Sequence, residues 1–237
     1  TDGAFFSQVA QLLDPGYIDG HKGEWLSTPE QFEEATRVYW NKGYTIHVHV
    51  TGDLGLELAV DVLEKIQFER PRFNHGFTLE HFGLSTPEQV FRLSKLGANV
   101  SANAYYLYEL SNIYANYSVG YERASSMARI GSCFREGVTT GLHSDFTMAP
   151  AQPLMSMWVA VNRINEKEEV MKWPLSVAPY EVAIIPLINK NDTASLEKAN
   201  NIFKHFEKNN IDAIIDDTDE NFSSKIKKFN LIGVPYQ

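Results

Sequence analysis

The chain has 237 residues, 43% of them hydrophobic and 12% aromatic, which suffices for one large or two small folded cores and excludes a disordered chain. Its net charge of −9 offers no general basic field to nucleic acid or an anionic membrane. The single cysteine, Cys133, excludes an internal disulfide framework and points to a reducing, cytoplasmic setting, and no apolar run approaches the roughly 20 residues of a membrane span.

Residues 1–26 read as a loop, punctuated by Gly3, Pro15, Gly16, Gly20 and Gly23. The chain opens on Thr1 in what reads as the middle of a domain, so a preceding segment is expected. A phrase then recurs: Ser27-Thr-Pro-Glu-Gln31 and Ser85-Thr-Pro-Glu-Gln89 each predict a helix with a Thr N-cap, proline at the first helical position and glutamine closing a capping box. The two helices are expected to stop at Gly43 and Gly97, each followed by an extended stretch.

Tyr44-Thr-Ile-His-Val-His-Val-Thr-Gly-Asp53 alternates polar and β-branched residues, so His47 and His49 share one face of a predicted strand. Gly52 turns the chain, and Asp53 is expected to cap a helix over Leu54–Glu69. Further strands are predicted over Arg72–His81, Ala98–Ala104 and Val138–Asp145, with a helix over Ala124–Glu136. Strands alternating with helices predict an α/β fold with a parallel sheet or barrel. With roughly 31 residues per βα unit of an eightfold barrel, His49 to His81 is about one unit and His81 to Asp145 about two, so three polar strand ends keep one phase.

His49, His81 and Asp145 could therefore meet at the C-terminal mouth of a barrel. Imidazole nitrogen and carboxylate oxygen are zinc-type ligands, and Asp145 would stand near an activated water as general base. Two buried histidines in a β-branched strand are the plain alternative for His47 and His49. His75 and His143 are read as structural.

At these residues the chain resembles the amidohydrolase superfamily, in its family 3 branch. The resemblance rests on Asp2-Gly-Ala-Phe-Phe-Ser7, His49-Val-Thr-Gly-Asp53, Glu80-His81, Ser144-Asp145, Pro153-Leu154 and Ala160-Val-Asn-Arg163, and covers residues 1 to about 172. It implies the C-terminal part of a (β/α)8 hydrolase barrel over 1–175, a Zn2+ or similar divalent ion on His49, His81 and Asp145, and hydrolysis of amide or related C–N bonds of a small molecule. His47, Asp53, Glu80 and Arg163 would brace the site or meet substrate. The family's first-strand His-x-His pair and bridging lysine would lie before Thr1, so the ligand set is expected to be partial.

Near residue 175 the texture changes. A helix closing at Trp173-Pro174 is predicted, then a strand over Pro179–Leu187, a helix over Ala194–Asn209, a strand over Ile211–Asp216, a helix over Phe222–Phe229 and a strand start over Leu231–Pro235. Pro179-Tyr-Glu-Val-Ala-Ile-Ile-Pro-Leu187, Asp216-Asp-Thr-Asp-Glu220, Lys225 and Leu231-Ile-Gly-Val-Pro-Tyr236 resemble the anticodon-binding domain of prolyl-tRNA synthetase, here a partial α/β unit over 176–237. That resemblance implies tRNA as a partner, with Lys225, Lys227 and Lys228 toward phosphate. From Ala178 onward, seven Lys face nine Asp and Glu, so a solvated helix face is the competing reading. Three functions follow: a metal-dependent amidohydrolase, a nucleic-acid-binding module, or a catalytically silent chimera of two partial folds. Unpaired sheet edges predict self-association.

Overall fold

The computed structural model describes residues 1–163, 180–186, 193–218, 220–232, 234 and 236. The helix expected to close at Trp173-Pro174 and the junction after it lie outside the described residues. The chain forms two compact units, Thr1–Val161 and Asn162–Gln237.

The first unit is an α/β unit built on four parallel strands: β1 (His47–Val50), β2 (Thr78–His81), β3 (Asn99–Asn103) and β4 (Thr139–His143). Their order in the sheet is their order in the chain, as in consecutive staves of a barrel. The helix α1 (Pro29–Asn41) precedes β1, α2 (Asp53–Glu69) links β1 to β2, and α3 (Pro87–Leu96) links β2 to β3. Both predicted capping boxes form. Thr28 Oγ1 accepts from Gln31 N, Thr86 Oγ1 accepts from Gln89 N, and each glutamine side chain accepts from its cap residue's N–H. Gly97 ends α3 at φ 68°, the left-handed cap expected there.

Several elements differ from expectation, each because a tertiary contact overrides the local pattern. The strand predicted from Arg72 shrinks to Thr78–His81, since Asn74 (φ 53°) and Gly76 (φ 65°) leave extended geometry. Gly52, not Asp53, caps α2, and its lack of a side chain is obligatory: a Cβ there would sit 1.9 Å from Gln11 O. The predicted helix over Ala124–Glu136 is broken. The sequence Tyr-rich stretch forms α4 (Tyr105–Tyr108) and α5 (Ser111–Tyr117), followed by α6 (Tyr121–Ser125) and α7 (Ile130–Arg135). Between the last two, Ala128 (φ 47°) donates its N–H to Gly83 O at 2.8 Å, and Arg129 Nε donates to Ser85 O at 2.7 Å. The helix α8 (Pro153–Asn162) follows β4.

Strand alternation divides the sheet into two faces. Val48, Val50, Leu79, Val100 and Ala102 are buried, while His47, His49, Glu80 and Ser101, in matching register, share the opposite face. Above the strand ends, Phe5, Leu12, Tyr17, Leu84, Tyr106, Tyr114 and Met127 form a core that holds the entry loop down. Asp2, fully buried, ties that loop to the end of β1: its carboxylate accepts from Gln11 N (3.0 Å), Thr51 N (3.1 Å) and Gly52 N (2.8 Å).

In the second unit, β5 (Val182–Ile184) pairs in parallel with β6 (Ala213–Ile215), flanked by α9 (Thr193–Lys208) and α10 (Phe222–Ile232). Ala183, Phe229 and Val234 form its core. The strand start expected at Leu231 is instead the last turn of α10, and Tyr236 bridges Val182. Among the described residues no helix is long and apolar enough to cross a membrane.

Candidate metal centre

The three residues singled out by phase stand at the C-terminal ends of β1 and β2 and just beyond β4, with His81 the neighbour of each of the other two, while the group whose ligand atoms all lie within 4.8 Å of one another leaves His49 out. The His49 and His81 rings lie 4.5 Å apart, and His81 Nδ1 is 3.8 Å from Asp145 Oδ2. Alternation alone would turn His81 away, since its register partner is Val50, not His49. Backbone geometry redirects it: His81 adopts φ 70° and Phe82 φ 49°, both left-handed, a conformation that costs of order 1 kcal/mol per residue. The strained strand end brings the ring over to His49 and also to His143, 5.0 Å away on β4.

His143 was not expected in the site. Ligand atoms of His81, His143 and Asp145 all lie within 4.8 Å of one another. His143 Nδ1, however, accepts the Asp145 N–H at 3.1 Å, so its neutral ring carries the proton on Nε2 and is a donor there. His49 Nδ1 and His81 Nδ1 have no such tie; both are buried without a hydrogen-bond partner. Burial, reinforced by His49 and His143, pushes His81 down to about 4, so it is neutral at physiological pH. Burial likewise lowers His49, against the opposing pull of Asp2. Neutral imidazoles beside a carboxylate fit a divalent metal of zinc type.

The remaining candidates divide. His47 Nδ1 contacts Glu80 Oε1 at 2.6 Å on the face that carries His49. Burial raises the Glu80 carboxyl, but hydrogen bonds from Ser101 and His47 outweigh it and leave it below its ordinary value. Asp53 is buried and accepts both Arg123 Nη2 contacts (2.8 and 2.6 Å) and the Leu13 N–H (2.9 Å), so it braces the loops around the mouth. Arg163 is buried and belongs to the second unit. His75, read as structural, is buried, with Nδ1 accepting from Phe77 N and Nε2 against Leu96 O.

A cavity of about 350 Å³ adjoins Asp145 and His143, walled by Leu142, Phe146, Pro153 and Ser156. A larger one, about 670 Å³, lies at the opposite strand ends against Arg72, Asn99 and Thr139 and holds none of these residues.

In the second unit Lys225 is buried: its Nζ donates to Asp216 O at 2.9 Å. Lys228 Nζ pairs with Asp216 Oδ2 (3.0 Å) and Glu220 Oε1 (3.2 Å), while Lys227 is exposed. Lys225 and Lys228 are thus occupied within the unit, a fact that charge counting cannot reveal.

Comparison with known proteins separates the same two regions. Residues 181–237 match the anticodon binding domain. Over 75 residues the chain is 75% identical to the proline–tRNA ligase of Pelagibacter ubique, covering 32% of this chain and 17% of the ligase; with that of Trichodesmium erythraeum it is 40% identical over 78 residues, covering 33% and 13%. The fold resembles solved structures of uncharacterized metal-dependent hydrolases from Pyrococcus horikoshii (TM-score 0.58, 26% identity, 69% of this chain and 32% of that one) and Pyrococcus furiosus (TM-score 0.57, 27% identity, 68% and 33%). The chain therefore spans about a third of the hydrolases and less than a fifth of the ligases it matches. The residues that carry the strand-end histidines and Asp145 fall inside a match to the Amidohydrolase family over residues 1–185, and the chain belongs to that family.

Proposed function

We propose that residues 1–175 act as the C-terminal part of a metal-dependent amidohydrolase barrel that cleaves amide or related C–N bonds of a small molecule. The observation that carries this reading is the pair of neighbouring imidazoles, His49 and His81, each with a buried Nδ1 that has no hydrogen-bond partner, and the approach of His81 to Asp145. His49, His81 and Asp145 would hold a zinc-type divalent ion. Bound there, the ion supplies a Lewis acid that lowers the pKa of water toward 7. Asp145, its side chain 46% exposed, takes the proton of the attacking water on a carboxylate oxygen and returns it to the leaving nitrogen. The His47–Glu80 pair and the Asp53–Arg123 pair hold the surrounding strand and loop ends in place. The free Cys133, buried and pushed up to about 12 by that burial, suits a reducing, cytoplasmic setting. The outer strands β1 and β4 of the described sheet offer edges for self-association.

Elemental analysis of the 237-residue protein purified without chelator tests the reading. Wild type is expected to hold zinc, and His81→Ala or His49→Ala to lower zinc affinity at least about 100-fold, beyond the effect of losing an outer partner. Equal zinc in wild type and His81→Ala would sink it.

A second reading is favoured by the 75% identity of the tail to the Pelagibacter ligase: residues 176–237 as a tRNA-binding module, or two partial folds joined in a catalytically silent chimera. In the tRNA reading Lys227, with Lys225 and Lys228 behind it, faces phosphate, and binding weakens steeply with salt.

A further inference from the structure

Among the described residues, one buried nitrogen at the end of each of four successive strands lacks a partner: His49 Nδ1 on β1, His81 Nδ1 on β2, Asn103 Nδ2 on β3 and His143 Nε2 on β4. Roughly nine in ten buried polar groups are partnered, and four unpartnered nitrogens on successive strand ends are the arrangement a bound ligand would complete. The first two are the imidazoles of the proposed metal site. The last two differ. Asn103 is fully buried, and its Oδ1 accepts the Tyr105 N–H at 3.1 Å, which fixes the amide and turns its NH2 the other way. His143 spends its Nδ1 lone pair on the Asp145 N–H, leaving a proton on Nε2. Asn103 and His143 are register partners on adjacent strands, so their side chains leave the same face side by side. Two buried donors cannot hold a cation; they are complementary to an oxygen.

We propose that Asn103 Nδ2–H and His143 Nε2–H form a two-donor cradle for the carbonyl oxygen of an uncharged amide or ureide substrate. The proposal rests on the metal-hydrolase reading and adds to it the groups that orient the substrate carbonyl. As water adds to the carbonyl carbon, the C=O π pair moves onto that oxygen, and donors already aimed at it stabilise the charge without reorganising.

The test uses the zinc-loaded 237-residue chain with acetohydroxamate as a carbonyl-bearing probe and azide as a probe without a carbonyl, both titrated calorimetrically. Asn103→Ser keeps a side-chain acceptor for Tyr105 N–H and withdraws the donor from the cradle, and His143→Phe removes the other donor, neither adding charge. Each is expected to weaken acetohydroxamate by about tenfold, the loss of one buried hydrogen bond, with zinc stoichiometry and azide affinity unchanged. Unchanged acetohydroxamate affinity in both variants overturns the cradle and leaves the metal reading standing. Equal weakening of azide also overturns it, since charge or zinc geometry then accounts for the loss. Wild type that takes up no zinc overturns the reading and the cradle together. Should either variant fail to fold, the Asn103 side-chain amide resonance of wild type decides: it shifts on acetohydroxamate addition, or the cradle is wrong.

Discussion

The strand ends of the two units carry opposite kinds of polar chemistry. At the end of β6, Asp216 accepts from Thr218 N (3.0 Å), Thr218 Oγ1 and Lys228 Nζ (3.0 Å), while Lys225 Nζ donates to its carbonyl. Burial alone would raise Asp216; these donors hold it down to about 2. At the ends of β1 to β4, one buried nitrogen on each of His49, His81, Asn103 and His143 has no hydrogen-bond partner. A satisfied network is one that folding has finished with, whereas an orphaned one is completed by something outside the chain. The difference fits a structural role for the Asp216 cluster and the proposed chemistry for the histidine cluster.

The largest way to break that contrast is Asp216→Ala. It leaves Lys225 Nζ bonded to the main-chain carbonyl but removes the carboxylate 3.8 Å away that offsets its buried charge, and breaking a buried pair costs up to about 3–5 kcal/mol. Amide exchange read at Ala213–Ile215 should show that loss, with the amides of β1 to β4 unaffected. Protection unchanged at β6 would mean the network is decorative.

Acid should sharpen the contrast by a smaller amount. Asp216 has a folded-state value below its unfolded one, so its contribution is present above the unfolded value of 3.8 and is lost as pH falls through about 2. That shift is worth about 2 kcal/mol. Exchange at β6 should accelerate across this window in wild type, with the Asp216 part of the change missing in Asp216→Asn.

The smallest expected effect lies on the other side of the comparison, in the scaffold of the metal centre. Thr86→Ala removes one arm of the capping box on α3 and should cost about 1 kcal/mol in thermal or urea unfolding of the first unit. Zinc affinity should not follow, because Thr86 touches none of the strand-end residues. A matching loss of zinc would place the helix start inside the site.

Much of this was legible in the chain itself, for local reasons. The Thr-Pro-Glu-Gln phrases specify capped helices because side chain and backbone satisfy one another within four residues, and both boxes form. The polar strand ends share a phase because βα units have a near-constant length, which sets His49, His81 and Asp145 at the same end of the sheet. Tertiary structure alone decided the rest. Strand alternation sends His81 to the wrong face, and only left-handed backbone at His81 and Phe82 returns it. The run from Ala124 reads as one helix, and only the reach of Ala128 and Arg129 to Gly83 and Ser85 breaks it. His143 becomes a donor because of where one backbone N–H points, and Lys225 goes inside because Asp216 is there to meet it. Short-range hydrogen bonds and repeat lengths are written in sequence order. Which lone pair is spent and which is left open depends on atoms far apart in the chain, and only packing brings those together.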